Sequence, residues 1–158
     1  MSLPVKLYRL SAWCYGNSLG FVGKLVTGLN RVVFSCWLPG TAKIGDRLTV
    51  GYQGLGIVVH SDSVIGDDCW ISQHVTIGRN FGDLSVPTIG NRVYIGAGTV
   101  IFGEISVGDG AIIGSNSIVN RDVPAGSVVA GNPARVVRDT TPDHLTLRAE
   151  DKARGAVS

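Results

Sequence analysis

Histidine is scarce in this chain of 158 residues, which has 3, at His60, His74 and His144. A zinc site of the carbonic anhydrase type takes three histidines converging on one ion, so a metal centre of that kind would need every imidazole in the chain. Cysteine is as sparse. The 3 thiols show no metal-ligand spacing and cannot all pair, which argues against a disulfide framework and points to a reducing, cytoplasmic setting. Charged residues make up 16% of the chain and the formal net charge is +2, too little to suggest nucleic acid as a partner. No uninterrupted apolar run reaches the roughly 18 residues that a spanning helix needs. Lys6 and Arg9 are not followed by a long apolar core with a small-residue cleavage site, so no secretory signal is expected. Acidic residues are missing altogether before Asp46.

Glycine is plentiful, with 22 residues, and it is not scattered. An aliphatic residue followed by glycine recurs in a hexapeptide phase as Ile44-Gly45, Val50-Gly51, Ile65-Gly66, Ile77-Gly78, Ile89-Gly90, Ile95-Gly96, Val107-Gly108 and Ile113-Gly114. Val59, Ile71, Ile101 and Val119 fill the phase between them. The inward position further along each unit is small: Cys69, Val75, Val93, Thr99, Ala111 and Ser117. One aliphatic and one small residue per unit face inward and the others face out. This pattern predicts an all-β solenoid, a parallel β-helix.

The chain divides into three parts. Residues 1–38 carry no hexapeptide. Leu3, Leu7 and Leu10, then Phe21, Leu25, Leu29 and Val32, recur at helical spacing and predict two short helices. Pro39-Gly40 ends them. Residues 39–138 form the β-helix domain, whose repeat finishes at Asp122-Val123-Pro124. Residues 139–158 form a polar tail with a helix start at Thr141-Pro142-Asp143. In the first part the basic residues Lys6, Arg9, Lys24 and Arg31, with Lys43 just beyond, are interleaved with Trp13, Tyr15, Phe21, Phe34 and Trp37. One reading is a basic amphipathic element resting on an anionic membrane surface. The other, favoured because solenoid ends need covering, is a helical cap.

Taken as a triangular prism, a coil of hexapeptides stacks residues roughly 18 apart. His60, Gly78, Gly96 and Gly114 then share a column, a glycine-lined groove with a histidine at its foot where a long thin ligand can lie against the backbone. His74 also points outward near that prism edge, and its column continues to Arg92 and Gly110.

The stretch Ile71-Ser72-Gln73-His74-Val75-Thr76-Ile77-Gly78 and the ending Val123-Pro124-Ala125-Gly126-Ser127-Val128-Val129-Ala130-Gly131-Asn132-Pro133-Ala134-Arg135-Val136-Val137 are similar to those of hexapeptide acyltransferases. They resemble the serine acetyltransferase branch, which includes relatives from polysaccharide biosynthesis. The resemblance covers residues 39–138. It implies a left-handed β-helix, a homotrimer, and acetyl-CoA bound as a substrate in a groove between subunits, with no metal. It also implies that Gly96, Ala97, Gly114 and Ser115 line the pantetheine arm, together with Gly78 in the glycine column. Arg135 and Arg138 match the basic C-terminal stretch that meets phosphates. The structural alternative is that Ile-Gly corners serve only to turn the chain.

Two departures from that branch bear on the acceptor. Its Asp-His pair before a Gly-Ile-Val run is matched here by Gly51-Tyr52-Gln53-Gly54-Leu55-Gly56-Ile57-Val58-Val59. Its second histidine, before a Pro-x-Ile-Gly, is matched by Leu84-Ser85-Val86-Pro87-Thr88-Ile89-Gly90. The loop Arg79-Asn80-Phe81-Gly82-Asp83 also lacks the branch's usual glycine-rich sequence. The two missing histidines weigh for a sugar hydroxyl as acceptor, whereas the motifs at 71–78 and 123–137 weigh for serine.

Acyl transfer to a hydroxyl requires a base for the attacking oxygen and N–H donors for the oxyanion. His60 is the first candidate base and His74 the second. His144 lies in the polar tail. Asp62 and Asp83 are candidates to orient the imidazole. A zinc-dependent carbonic anhydrase of this fold would need a third histidine in the prism. A catalytically inactive β-helix scaffold is the non-enzymatic alternative, and CoA binding separates it from an enzyme. The expectation is a cytoplasmic homotrimeric O-acetyltransferase. Its acceptor is a small or carbohydrate hydroxyl, with serine as the alternative, and residues 1–38 are available for peripheral membrane contact.

Overall fold

The structure, a computed structural model, describes residues 1–82 and 84–139. Arg138 is therefore described, whereas Asp83, His144 and the helix start expected at Thr141-Pro142-Asp143 lie outside the described residues.

Residues 43–131 wind into a left-handed parallel β-helix of about 4 coils. Its three faces are parallel sheets of very short strands. Face 1 stacks Lys43–Ile44, Val64–Ile65, Thr88–Ile89 and Ser106–Val107. Face 2 stacks Thr49–Val50, Trp70–Ile71, Tyr94–Ile95, Ile112–Ile113 and Ser127–Gly131. Face 3 stacks Val58–Val59, Thr76–Gly78, Val100–Phe102 and Ile118–Val119. In each of the two- and three-residue strands the first residue points out and the second points in, so the hexapeptide's aliphatic position lands inside; in Ser127–Gly131 it is Ser127 and Val129 that are buried. Ile65, Ile71, Ile77, Ile89, Ile95, Ile101 and Ile113 are at most 2% exposed. Cys69, Val75, Val93, Thr99, Ala111 and Ser117 are buried with them, as expected from the sequence. Each buried isoleucine contributes about 1.5–3 kcal/mol, against about 1 kcal/mol net for a hydrogen bond, so this interior column dominates the stability.

The register corrects the expected columns. Val59 pairs with Ile77, but Ile77 pairs with Ile101, so the coil holding the 79–87 loop is longer than the one before it. His60 therefore stacks on Gly78, and Gly78 on Phe102; the His60 backbone N–H donates to Ile77 O at 2.8 Å. Gly96 and Gly114 belong to a different edge, in register beyond Ile95 and Ile113. The expected column of His60, Gly78, Gly96 and Gly114 does not exist. His74 stacks with Gly98 and Asn116 rather than with Arg92, which stacks with Asp68 and Gly110. The bonds Gly98 N to Gln73 O, Asn116 N to Ala97 O, Arg92 N to Asp67 O and Gly110 N to Asn91 O set these neighbours.

A side-chain ladder runs up the edge between faces 1 and 2. The carboxylate of Asp67 accepts from Asp46 N (2.6 Å), the amide oxygen of Asn91 from Asp67 N (2.9 Å), and the carboxylate of Asp109 from Asn91 N (2.7 Å). Each acceptor fills the space where a Cβ would project from Gly45, Gly66 or Gly90 in the coil below. That is why glycine follows the aliphatic residue there. The backbone N–H and the side-chain amide of Asn91 hold the Asp109 carboxyl below its usual range.

The prism is covered at its first end by α1 (Leu3–Gly16), which packs against α2 (Gly20–Phe34). Val5 and Tyr8 of α1 join the solenoid core. The Tyr8 hydroxyl donates to Ala42 O at 2.8 Å and accepts from Ile44 N at 3.1 Å, and the Arg9 guanidinium donates to Ile44 O at 2.9 Å and to Gly45 O. The cap reading thus holds for α1. At the other end, Ser127–Gly131 pairs antiparallel with Ala134–Asp139 and closes face 2 as a hairpin.

Candidate active site

Two of the three prism edges carry the candidate residues, and each edge carries a different set. The edge between faces 3 and 1 holds His60, whose side chain is 27% exposed. His60 Nδ1 accepts from the Asp62 backbone N–H at 3.2 Å and lies 3.7 Å from Asp62 Oδ2. The same carboxylate oxygen is 3.6 Å from Arg79 Nη2. A histidine, a carboxylate and a guanidinium thus form a chain beside Gly78. A Cβ on Gly78 would meet nothing within 4 Å. This glycine is not required by coil stacking, and it leaves open space next to the imidazole. Above it springs the 79–87 loop, with Phe81 and Leu84 strongly exposed.

The edge between faces 2 and 3 holds His74, Gly96, Ala97, Gly114 and Ser115. His74 is exposed at φ 58°, and its backbone N–H donates to Leu55 O at 2.8 Å. Its ring lies against the backbone of Gly56, in the space a side chain there would take. His74 therefore does not share an edge with His60, contrary to the expected proximity. Gly96 and Gly114 donate their N–H groups to Ile113 O and Val129 O, both at 2.8 Å, so neither amide is available to an oxyanion. A Cβ on Gly96 would sit 2.6 Å from Ser115 N. Bulk at Gly96 would break the coil, so Gly96→Leu cannot report on ligand binding alone. Ser115 is exposed and Ala97 half-buried. Arg135 is exposed on the terminal hairpin, where its guanidinium donates to Ala134 O at 2.8 Å. Arg138 pairs with Val128 on the same hairpin.

Two features were not read from the sequence as part of a site. Arg79 follows Gly78 directly, and that adjacency was the only available signal. Tyr52 and Gln53 adopt successive left-handed conformations, φ 46° and 54°, a strain of about 1–3 kcal/mol per residue that clusters at functional corners. They occupy the stretch matched to the Asp-His pair, on the same edge as His74. Among the described residues no group of three or more His, Cys, Asp or Glu is placed to hold a metal ion.

No family model matches the chain. The serine acetyltransferase of Helicobacter pylori strain ATCC 700392 / 26695 is 36% identical over 132 residues, covering 82% of this chain and 77% of that protein. The serine acetyltransferase from Brucella abortus strain S19, solved in complex with coenzyme A, superposes with a TM-score of 0.83 at 29% identity, over 87% of this chain and 55% of its own. Soybean serine acetyltransferase complexed with serine gives a TM-score of 0.80 at 33% identity, over 85% of this chain and 56% of its own. Repeat, prism and relatives together place the chain in the class of hexapeptide-repeat acyltransferases. The chain spans only about half the length of the solved relatives. Within that class it belongs to the serine acetyltransferase family.

Proposed function

We propose that this chain transfers the acetyl group of acetyl-CoA to the side-chain hydroxyl of serine, as a homotrimer with its sites between subunits. The observation that carries the reading is the likeness to serine acetyltransferases over more than four fifths of the chain, including structures in complex with coenzyme A and with serine. It moves the acceptor from a small or carbohydrate hydroxyl, the first expectation, to serine. All three of these relatives are serine acetyltransferases, which leaves a polysaccharide acceptor without support.

In this reading His60 is the base and His74 the second candidate. Rotation that closes the 3.7 Å gap to Asp62 puts the imidazole proton on Nδ1 and frees the Nε2 lone pair. Arg79 lies 3.6 Å from the same Asp62 carboxylate oxygen. Nε2 takes the hydroxyl proton as the oxygen attacks the thioester carbonyl. The tetrahedral intermediate then collapses, the C–S bond breaks, and the imidazolium returns its proton to the departing CoA sulfur. O-acetylserine and CoA leave, and the base is regenerated. Ala97 and Ser115 are the proposed contacts along the pantetheine arm, with Gly96 and Gly114 shaping the edge and Gly78 keeping the floor beside His60 open. Arg135 meets the phosphates.

The separation of the two edges supports the homotrimer. His60 and the arm-binding positions cannot meet within one prism, but a neighbouring copy can present one edge to the other. The strongly exposed Phe81 and Leu84 beside His60 fit burial against that copy. The test is CoA release from acetyl-CoA with serine and with a panel of sugars and nucleotide sugars. Release with serine alone supports the reading. Release with a sugar and none with serine overturns the acceptor while leaving the transferase in place.

A further inference from the structure

The second N-terminal helix is packed inside out. α2 buries Gly23, Thr27 and Asn30 against α1 and leaves Phe21, Val22, Leu25, Leu29, Val32 and Val33 exposed. The contact between the helices is polar and small. The Ser11 hydroxyl donates to Gly23 O at 2.8 Å and meets Thr27 Oγ1 at 2.9 Å, Asn30 Nδ2 donates to Pro4 O at 3.1 Å, and the Tyr15 ring lies over Gly23. In water a helix pair does the reverse, burying its apolar stripe and exposing its hydroxyls and amides. Small residues and side-chain hydrogen bonds between helices, with aliphatic side chains turned outward, is the arrangement of helices surrounded by lipid. Of the 20 large apolar side chains exposed among the described residues, 11 fall within residues 1–33, a concentration that marks a surface meant to be covered.

We infer that this face docks onto an anionic lipid bilayer, with α1 and α2 lying in the interface. The charges choose the occupant. Lys6, Lys24 and Arg31 are exposed on the two helices, and no acidic residue precedes Asp46. A second copy pairing through the same face would bring like charges together across a two-fold axis. A surface rich in acidic headgroups neutralises them. Length excludes a crossing. Helices of 14 and 15 residues reach about 21–23 Å at 1.5 Å per residue, short of the roughly 30 Å hydrocarbon core, and no described helix is long and apolar enough to span a membrane. Meanwhile Tyr8 and Arg9 tie α1 to the first coil, so the prism would be held at the bilayer surface.

The experiment is flotation of the full chain with vesicles of phosphatidylcholine containing about one third phosphatidylglycerol, beside vesicles of phosphatidylcholine alone. The parent is expected to float with the anionic vesicles and to stay behind with the neutral ones. Lys6→Glu with Lys24→Glu should weaken binding at least about tenfold. Leu25→Gln, Leu29→Gln and Val32→Gln together should abolish flotation and leave the circular dichroism unchanged, because all three side chains are already in solvent. A parent that floats with neither vesicle overturns the proposal. So does a triple variant whose particle mass in solution falls to a fraction of the parent's, since the face would then join copies of the chain. Acetyl transfer measured on the same variants without lipid is independent of either result.

Discussion

At the residue scale the base assignment rests on geometry that one substitution can test. His60 has a carboxylate partner that is itself held by Arg79, and His74 has a glycine backbone beneath its ring. His60→Ala should lower kcat with serine by about 10²–10⁴-fold, the usual effect of losing a general base, with CoA affinity nearly unchanged. His74→Ala should do less. If the order of the two effects is reversed, the role passes to His74. Gly78→Leu probes the floor beside the imidazole. Its Cβ has open space and its φ is not left-handed, so the melting temperature should hold while KM for a substrate rises. The thiols provide a chemical check on burial. Cys14, Cys36 and Cys69 are buried and none is in a disulfide, and burial pushes Cys36 up to about 12. A thiol reagent at neutral pH should label none of them in the folded protein and 3 after denaturation.

At the element scale the edge ladder carries a pH dependence. Asp109 is the acceptor for Asn91 N–H, and its folded pKa is depressed. Its contribution is therefore present above the unfolded carboxylate pKa near 4 and is lost as pH falls through the lower folded value. Asp109→Asn keeps an acceptor oxygen that does not titrate. The parent should lose more melting temperature than this variant on acidification from about pH 5 to pH 2; equal losses would remove Asp109 from the acid response. Asn91→Ala leaves Asp67 N without its acceptor and removes the side-chain amide beside Asp109, and should cost about 1 kcal/mol at neutral pH, read as a lower Tm.

The same scale shows what was legible in the sequence. Which residues point inward was readable, because the aliphatic positions repeat every six residues within each run and the restart at Val59 is itself visible in the sequence. Ile77 and Ile101 both land inside for that reason. Which residues stack was not readable, because stacking depends on how many residues make a coil. Gly51–Gly54 forms a turn with two left-handed residues at one corner, and extra chain separates Gly78 from Thr88 at another. Both lengthen their coils, but only the second keeps the phase: Ile89 follows Ile77 by 12 residues, whereas Val59 follows Val50 by 9. A column counted at one fixed interval therefore slid from one edge to the next beyond the loop, and it joined His60 to Gly96. The inverted face of α2 was half legible. Helical spacing picked out Phe21, Leu25, Leu29 and Val32, but periodicity gives a stripe and does not say whether it faces core or solvent.

At the scale of the whole molecule, the separation of the two edges makes subunit sharing testable without a structure of the assembly. His60→Ala disables the edge between faces 3 and 1. Ser115→Trp should block the edge between faces 2 and 3, and it should fold because Ser115 is exposed. Each variant alone is expected to be nearly inactive with serine and acetyl-CoA. Co-expressed in equal amounts, they assemble at random. A site built from the intact His60 edge of one copy and the intact Ser115 edge of the next then forms in about one quarter of cases. Recovery of about that share of parental turnover requires that two chains complete each site. A site contained in one chain could not recover at all, because every chain in the mixture lacks one half. Turnover that stays at the level of the single variants, in mixed assemblies confirmed by differential tags, would rule out the shared site and with it the reason for the trimer.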